Sequence, residues 1–354
     1  MRLTLTRVDT VKDTDSAYLD PASAADARLR LIDDFGRIAT DLRVSVTDRC
    51  DLRCTYCMPA EGLDWLDADQ QMSFDEITRI VRVMIDLGIR TVRLTGGEPL
   101  MRAHLEDLVS SLAMLDLDDI SMTTNGTALQ RHAASLAAAG LNRVNVSLDS
   151  LVASRVQEIS RRDVLDKVLA GIAEAKRVGL DPVKINCVLL RNRNDDEVID
   201  FVEFARATGC EVRFIEDMPL GADGSWTRAI VVPGSEVLDR ISTVFPLTPR
   251  TRGAQPASTY DFADGSPGSV GIISSVTEPF CASCDRLRLT SDGFLRTCLF
   301  AHEELDLLTP LRDGCSDNDL AELIIAEVAR KGPGHAIGLI EFEQPVRVMS
   351  RIGG

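Results

Sequence analysis

Residues 41–57 read DLRVSVTDRCDLRCTYC, a strand-like segment followed at once by three cysteines. Leucine and valine alternate with arginine, serine and threonine over residues 42–47, which predicts a strand with one apolar face and one polar face. Three and then two residues separate the cysteines at Cys50, Cys54 and Cys57. Because βα proteins carry their reactive groups at the carboxyl ends of strands, we expect a functional site at this point.

The same strand–helix alternation continues up to residue 216. The predicted strands are 42–47, 91–95, 119–123, 142–147, 182–190 and 211–216, and the predicted helices between them are 74–87, 103–115, 128–139, 163–178 and 195–207. Strands that alternate with helices indicate a parallel sheet. Six such units predict an α/β fold, an incomplete (βα)6 barrel of the TIM type.

The strands also predict a polar interior. Parallel strands that are buried on both faces usually form continuous apolar runs, whereas most of these strands alternate. Arg43 shares one face with Ser45, and Lys184 shares one face with Asn186. We therefore expect the sheet to curl around a large polar ligand. The orientation of the sixth strand is left open at this stage.

The chain divides into three predicted parts. Residues 1–35 form an irregular, partly disordered leader, and residues 36–220 form the partial barrel with the first cysteine group. Residues 221–354 form a more irregular C-terminal domain, rich in proline and glycine, that is expected to close the open end of the barrel. This last part holds the second cysteine group, a helix near 319–329 and a terminal Gly-Gly.

Composition excludes several classes of function. The formal net charge of −16 over 354 residues argues against a nucleic-acid partner, which would need a basic face. An apolar run of membrane-spanning length and the apolar centre of a signal peptide are both missing, so we expect a cytoplasmic protein without a membrane partner. Nine cysteines in that compartment indicate metal ligation rather than disulfides. Two of them, Cys187 and Cys210, are expected to be small buried hydrophobes.

The first cysteine group predicts an iron–sulfur cluster with one open iron. Three thiolates within eight residues can hold three irons of a 4Fe–4S cluster, whose usual protein complement is four cysteines. The fourth iron is then free for a ligand that is not protein. A structural zinc site is the alternative, although zinc prefers paired Cys-x2-Cys knuckles with four protein ligands.

A second group of three cysteines lies in the C-terminal part, at Cys281, Cys284 and Cys298. It predicts a second cluster with one open iron, unless Cys315 is its fourth ligand. Arg286 and Arg288 follow Cys284 and are separated by one residue, so both can project to one side of an extended segment. Guanidinium groups in this arrangement indicate an anionic ligand.

These motifs resemble those of known enzymes. The first cysteine spacing, with Tyr56 before its last cysteine, and the segment Gly96-Gly97-Glu98-Pro99 are similar to the radical SAM (S-adenosylmethionine) superfamily. With the second group, the chain from Phe35 to Gly354 resembles the molybdenum cofactor biosynthesis protein A family, the GTP 3′,8-cyclases. The segments that carry this resemblance are Asp41–Pro59, Leu94–Pro99, Thr123–Gly126, Asn145–Asp149, Phe280–Leu299 and the terminal Gly353-Gly354.

The resemblance implies a reaction and its cofactors. It implies two 4Fe–4S clusters and SAM, whose 5′-deoxyadenosyl radical takes hydrogen from C3′ of GTP before C3′ bonds to C8. The product would be 3′,8-cyclo-7,8-dihydro-GTP, made in the first step of molybdenum cofactor biosynthesis. The resemblance also implies an electron donor, a homodimer and a downstream cyclic pyranopterin monophosphate synthase.

The resemblance assigns roles to individual residues. The cluster ligands it implies are the six cysteines of the two groups, and the SAM contacts are Tyr56, Gly97, Ser147 and Met218. The GTP contacts are Arg43, Arg93, Thr123, Lys184, Arg286, Leu287 and Arg288. The catalytic residues are Arg286, Arg288, Gly353 and Gly354, with the terminal glycines entering the active site.

Two departures and two rival functions remain. Lys331-Gly332-Pro333 and Asp217 differ from the family pattern, and we expect them to alter loops without touching a cluster ligand. His335 is expected to be structural. One rival is another twin-cluster radical SAM enzyme, such as a peptide or sulfatase maturase. The other is an iron–sulfur electron carrier, which would close both clusters with four cysteines.

Overall fold

A computed structural model describes residues 30–221, 226–337, 342–345 and 347–353 of the chain. Most of the predicted leader lies outside these ranges. Within its last residues, Leu31 is completely buried, and its backbone N–H donates to the carbonyl of Leu87 at 3.2 Å. The described chain therefore begins in contact with the core.

Within the described ranges, twelve strands form one sheet. They are β1 (Asp41–Ser45), β2 (Thr91–Thr95), β3 (Asp119–Thr124), β4 (Arg143–Ser147), β5 (Lys184–Leu189), β6 (Glu211–Glu216), β7 (Leu247–Pro249), β8 (Ser258–Phe262), β9 (Ser269–Ile273), β10 (Arg286–Leu289), β11 (Phe294–Arg296) and β12 (Leu305–Asp306). The strand order is β12-β11-β10-β1-β2-β3-β4-β5-β6-β9-β8-β7. The eight strands from β10 to β9 are parallel to their neighbours, and the outer pairs on both sides are antiparallel.

This topology confirms the predicted fold class. The six strands predicted from alternation lie side by side in chain order, and β12 and β7 form the two edges of a sheet that does not close. The region after residue 221 is more regular than its sequence indicates. It adds β9 to the edge of β6 and β10 to the edge of β1, both in parallel. The C-terminal part therefore continues the sheet at both sides.

Helices cover the outer face of the sheet, except the short last one, which lies on the inner face beside Ser45 and Thr95. They are α1 (Phe74–Asp86), α2 (Leu105–Ala113), α3 (Leu129–Ala139), α4 (Ala153–Ser160), α5 (Leu165–Arg177), α6 (Val198–Thr208), α7 (Gly234–Ser242), α8 (Leu308–Arg312), α9 (Asp317–Ala329) and α10 (Met349–Ile352). Helix α1 begins at a capping box, in which the Ser73 hydroxyl accepts from the Glu76 N–H at 3.2 Å and the Glu76 carboxylate accepts from the Ser73 N–H at 2.6 Å. None of the described helices is both long and apolar enough to cross a bilayer.

The two faces of the sheet differ as the sequence predicts. Leu42 and Val44 are completely buried on the face that packs under the helices. On the other face, Arg43 is in register with Arg93 of β2. The orientation of β6, left open by the sequence, is now fixed, because Asn186 of β5 is in register with Arg213 of β6. The sixth strand therefore also contributes charged groups to the polar interior.

Candidate active site

A cavity of about 290 Å³ lies at the carboxyl ends of the parallel strands. Both cysteine groups line it, which places all six cysteines around one space: Cys50, Cys54, Cys57, Cys281, Cys284 and Cys298. Cys315 does not line this cavity; it packs beside helix α1, where its carbonyl accepts from Arg79 at 2.6 Å. The structure therefore gives no support to Cys315 as a fourth ligand. Cys187 and Cys210 are completely buried, as predicted.

The loop of the first cysteine group is held against the end of helix α4. The N–H groups of Arg53 and Thr55 donate to the carbonyls of Ser160 and Ile159 at 3.1 and 3.0 Å. Arg161, which follows the helix, donates to the carbonyls of Arg53 at 2.6 Å and Met58 at 3.1 Å. These bonds fix the backbone on both sides of Cys54 and Cys57. Helix α4 was not predicted, because the sequence between β4 and α5 shows only a weak apolar pattern.

The Gly-Gly-Glu segment after β2 packs directly on this loop. A side chain at Gly97 would bring its Cβ within 2.4 Å of the Arg49 carbonyl oxygen, so only glycine fits there. The Gly97 N–H donates to the Thr47 carbonyl at 2.8 Å. Glu98 is 1% exposed and accepts hydrogen bonds from the Thr124 hydroxyl at 2.7 Å and the Asn125 N–H at 2.6 Å. Burial raises the pKa of Glu98 to about 7.

Burial also raises the pKa values of thiols in the first cysteine group. It raises the pKa of Cys50 to about 12 and that of Cys57 to about 11. The hydrogen-bond donors to the Cys50 sulfur are neutral groups, the Leu52 N–H at 3.4 Å and the Asn125 side-chain amide at 3.9 Å. These thiols therefore need a bound metal to favour their thiolate form.

Tyr56 is tied to an acid that sequence reasoning missed. The Tyr56 hydroxyl donates to Asp149 at 2.8 Å, and the Val188 N–H donates to the other oxygen of Asp149 at 2.9 Å. Tyr56 and Asp149 both line the cavity, and burial raises the pKa of Asp149 to about 6. The pair is 93 residues apart in the chain, so no local pattern could have revealed it.

The second cysteine group has cationic partners. Arg286 donates to the Cys284 sulfur at 3.4 Å, and the ammonium of Lys331 lies 3.7 Å from the same atom. Burial raises the pKa of Cys284, but Arg286 and Lys331 outweigh it and bring the pKa to about 7. The expectation that the departure at Lys331 leaves candidate cluster ligands untouched is therefore wrong. The contact joins residues 47 apart, which the sequence could not indicate.

The cysteines fit clusters better than single metal ions. In the described part of the chain, no three His, Cys, Asp or Glu side chains converge closely enough to hold one metal ion. This disfavours the zinc alternative, since a structural zinc needs four ligands at about 2.0–2.3 Å. A 4Fe–4S cluster is larger than a single metal ion, so its cysteine ligands can lie farther apart. Three such side chains from each group line the cavity.

A row of arginines crosses the polar face. Arg288, Arg43 and Arg93 are in register on the neighbouring strands β10, β1 and β2, and all three line the cavity. Burial, followed by repulsion from Arg288, Arg93 and Arg286, holds the pKa of Arg43 well below its usual range. Nε atoms of Arg43 and Arg286 are buried without a hydrogen-bond partner in the described chain. Buried guanidinium Nε groups without a partner fit an anionic ligand.

The remaining predicted contacts divide into two sets. Thr123, Gly97, Ser147 and Met218 line the cavity. Lys184 and Leu287 do not: Lys184 lies 3.7 Å from Glu211, and Leu287 is completely buried in the core on the opposite face of β10 from its arginine neighbours. The carbonyl of Gly353 accepts from Arg288 at 3.1 Å, and Gly354 lies outside the described residues.

Sequence reasoning missed other lining residues. Asn125, Arg213 and Ser350 all line the cavity. His335, expected to be structural, lines it too and packs edge-on against the ring of Phe300, with ring centres 5.2 Å apart. The alternation of β5 extended by register to β6 would have indicated Arg213, whereas Ser350 and His335 carry no local signal.

Two family models match successive parts of the chain. Residues 44–205 match the model described as Radical SAM superfamily, and residues 210–337 match the model described as Molybdenum Cofactor Synthesis C. Solved structures give the same fold. Streptococcus suis SuiB bound to S-adenosylmethionine has a TM-score of 0.56 at 15% identity, covering 87% of this chain and 76% of SuiB. SuiB bound to the precursor peptide SuiA has a TM-score of 0.59 at 14% identity, covering 97% and 83%.

Curated relatives match nearly the whole chain. A GTP 3′,8-cyclase of Corynebacterium glutamicum is 48% identical over 350 residues, covering 96% of this chain and 92% of the relative. One from Streptomyces coelicolor is 48% identical over 329 residues, covering 92% of this chain and 96% of the relative.

The open parallel sheet and the cysteine loop after its first strand define a radical SAM enzyme, which uses SAM and an iron–sulfur cluster. Within that superfamily, the chain belongs to the GTP 3′,8-cyclase family.

Proposed function

We propose that this protein converts GTP to 3′,8-cyclo-7,8-dihydro-GTP, the first step of molybdenum cofactor biosynthesis. The observation that carries the proposal is the row of arginines that lines one cavity together with both cysteine groups. A peptide substrate would not need such a concentration of buried positive charge, whereas a triphosphate does.

The first cysteine group supports the radical-forming half of the site. Cys50, Cys54 and Cys57 would hold a 4Fe–4S cluster with one open iron. When bound there, SAM and the cluster supply the 5′-deoxyadenosyl radical that removes hydrogen from C3′ of the ribose. The chain's own contribution is to orient SAM, through contacts from Tyr56, Gly97, Ser147 and Met218. Asp149 would fix the hydroxyl of Tyr56 for this task.

The arginine row supports the substrate half. Arg43, Arg93 and Arg288, with Arg286 beside them, would bind the triphosphate, and Thr123 would contact the nucleotide from β3. Lys184 would join them by leaving Glu211, from which its ammonium is 3.7 Å away. Leu287 would contribute through its backbone alone, since its side chain lies in the core. These contacts would fix the ribose for hydrogen removal.

A second cluster on Cys281, Cys284 and Cys298 would hold the guanine at its open iron. Leu299 and Phe300, which line the cavity after Cys298, would help to position the base with C8 near C3′ for ring closure. Arg288 and the carbonyl of Gly353 are hydrogen-bonded at 3.1 Å, which supports a catalytic role for the C-terminal glycines beside the arginines. The low exposure of these groups excludes water from the reacting atoms.

The decisive test is anaerobic incubation of iron-reconstituted protein with dithionite, SAM and GTP, followed by mass spectrometry. We expect 5′-deoxyadenosine together with a GTP-dependent cyclised product. Abundant 5′-deoxyadenosine with unchanged GTP would contradict the cyclase and favour a maturase of peptides or sulfatases. Intact SAM despite a loaded first cluster would contradict the radical enzyme altogether.

The partners and location predicted from the sequence remain part of this proposal. They are an electron donor for the first cluster, a homodimer, a cyclic pyranopterin monophosphate synthase that consumes the product, and a place in the cytoplasm. The division into a barrel domain at 36–220 and a C-terminal domain at 221–354 is proposed on the same basis.

A further inference from the structure

Lys331 is a buried lysine that the proposed reaction does not use. It is 4% exposed, and it lies two residues after helix α9, far along the chain from the cysteines. Its Nζ atom donates to the carbonyls of Cys284 and Arg286, both at 3.0 Å, and lies 3.7 Å from the Cys284 sulfur. An ammonium has three N–H donors, so each of these acceptors can receive one.

The loop that carries Lys331 is fixed from the other side by Arg37. Its guanidinium donates to the carbonyls of Gly332 at 2.5 Å, Pro333 at 3.1 Å and Cys281 at 2.9 Å. Gly334 follows, and a Cβ at that position would lie 2.6 Å from the Cβ of Cys281. The loop 331–334 therefore lies against both Cys281 and Cys284, and its position is set by more than one contact.

The contacts of Lys331 span the junction between metal site and substrate site. Cys284 precedes strand β10, which begins at Arg286 and carries Arg288. A single ammonium that binds the carbonyls of Cys284 and Arg286 holds the turn between a candidate cluster ligand and the arginines that face the cavity. Displacing this turn would move the cysteine and the arginines together.

The charge of Lys331 matters as well as its geometry. Arg286 and Lys331 both direct N–H groups at the Cys284 sulfur, from 3.4 and 3.7 Å. Hydrogen bonds to a ligand sulfur and nearby positive charge favour the more negative, reduced form of an iron–sulfur cluster, and so raise its reduction potential. No other cysteine of the two groups has two cationic donors within the described chain.

We propose that Lys331 is a positioning residue for the second cluster, holding Cys284 and the start of β10 in place and setting the reduction potential of that cluster. The inference rests on the proposed function, because it requires a cluster on the second cysteine group. It adds a residue outside the cysteines and arginines to the machinery that holds the substrate.

The test compares variants of the reconstituted full chain. Lys331→Met removes charge and donors, Lys331→Gln keeps a neutral donor, and Lys331→Arg keeps the charge. Arg330→Met is the matched control, because its side chain is 67% exposed and pairs with Glu327 at 2.7 Å. Anaerobic redox titration followed by electron paramagnetic resonance gives the potential of each cluster. The second cluster is recognised by a signal that responds to GTP and not to SAM.

We expect the potential of the second cluster to be more negative in Lys331→Met and Lys331→Gln than in the wild type. It should return towards the wild-type value in Lys331→Arg and stay unchanged in Arg330→Met. Loss of iron from the second site alone in Lys331→Met would also support the positioning role. The reduction potential of the second cluster would then be measured in Lys331→Gln.

A wild-type potential in both Lys331→Met and Lys331→Gln, with the second cluster loaded, would overturn the role of the lysine alone. The iron content of the wild-type protein tests the proposed second cluster, on which the role of Lys331 depends. About eight irons per chain are expected for two four-iron clusters. About four would overturn the second cluster, and the role of Lys331 with it.

Discussion

The two cysteine groups share one cavity but differ in the charge beside one sulfur, because Cys284 of the second group has two cationic donors. In the first group, burial raises the pKa of Cys50 to about 12 and that of Cys57 to about 11, and the donors to the Cys50 sulfur are neutral. In the second group, Arg286 and Lys331 outweigh burial and bring the pKa of Cys284 to about 7.

From this contrast we expect the two proposed clusters to have different reduction potentials and different roles. A cluster that must reduce SAM needs a low reduction potential, and a site without cationic donors favours the oxidised, less negative form. A cluster that holds an anionic nucleotide gains from neighbouring cations, which stabilise the added negative charge. The sequence shows two similar cysteine triads, whereas in the described chain the structure gives two cationic partners to the sulfur of Cys284 alone.

The largest expected effect comes from removing one cysteine from each group. Cys54→Ala should abolish SAM cleavage, because the first cluster loses one of its three protein ligands. Cys284→Ala should keep measurable SAM cleavage but lose the cyclised product. Both are read by 5′-deoxyadenosine and product yields from the same anaerobic reaction. Equal loss of SAM cleavage in the two variants would remove the proposed division.

The next effect concerns the arginine row. Arg288→Met should weaken GTP binding by roughly 10- to 150-fold, since a hydrogen bond to a charged group contributes about 1.5–3 kcal/mol. SAM binding should stay near the wild-type value, because Arg288 lies on the strand that follows Cys284 of the second cysteine group and not on the loop of the first. Equilibrium binding of both ligands to the reconstituted protein checks this. Arg312→Met, which removes a surface ion pair with Glu76, is the control.

Glycines beside the two groups give a smaller, structural comparison. Gly97→Ala should cost about 1–3 kcal/mol of stability, because its Cβ would overlap the Arg49 carbonyl in the loop of the first group. Gly332→Ala, in the loop beside the second group, should be nearly neutral because no atom lies within 4 Å of the added carbon. Urea unfolding with iron analysis measures both. Similar midpoints for the two variants would contradict the crowding at Gly97.

The smallest effect is a pH dependence from Lys184. Burial, followed by repulsion from Arg213, lowers the pKa of Lys184 to about 8 despite Glu211. The protonated ammonium would bind phosphate, so affinity for GTP should be nearly complete below about pH 7 and fall about tenfold between pH 7 and pH 9. Lys184→Arg should lack this component, because arginine stays charged. Parallel titrations that differ by less than twofold would exclude Lys184 from the GTP site.

The fold was largely predictable because alternation marks the central strands. Arg43 and Lys184 lie on the polar face as their spacing indicates. Strand β9 was missed because residues 269–273 are buried on both faces and show no alternation. The spaced arginines of β10 indicated an extended segment, but its place in the sheet was not predicted because the strand is only four residues long.

The site was less predictable wherever it depends on distant residues. Spacing identifies the cysteines, whereas Tyr56 and the glycines were assigned through local motifs that resemble those of the family. Asp149 and Lys331 act through partners that are 93 and 47 residues away, and only the folded chain brings those pairs together. The family resemblance also implied a GTP contact for Leu287, although strand geometry turns its side chain into the core.

Strands β9 and β10 give the chain an order of assembly. The six strands β1–β6 form an uninterrupted run in the sequence, but their two outer members keep unpaired backbone edges until β9 and β10 arrive from the C-terminal part. During synthesis the first cysteine loop can fold long before Cys281 leaves the ribosome, because chains emerge at about 5–20 residues per second. We therefore expect a growing chain to pass through a stage with one complete metal-binding loop and two unpaired strand edges. The last quarter of the protein would then protect those edges from aggregation by pairing with them.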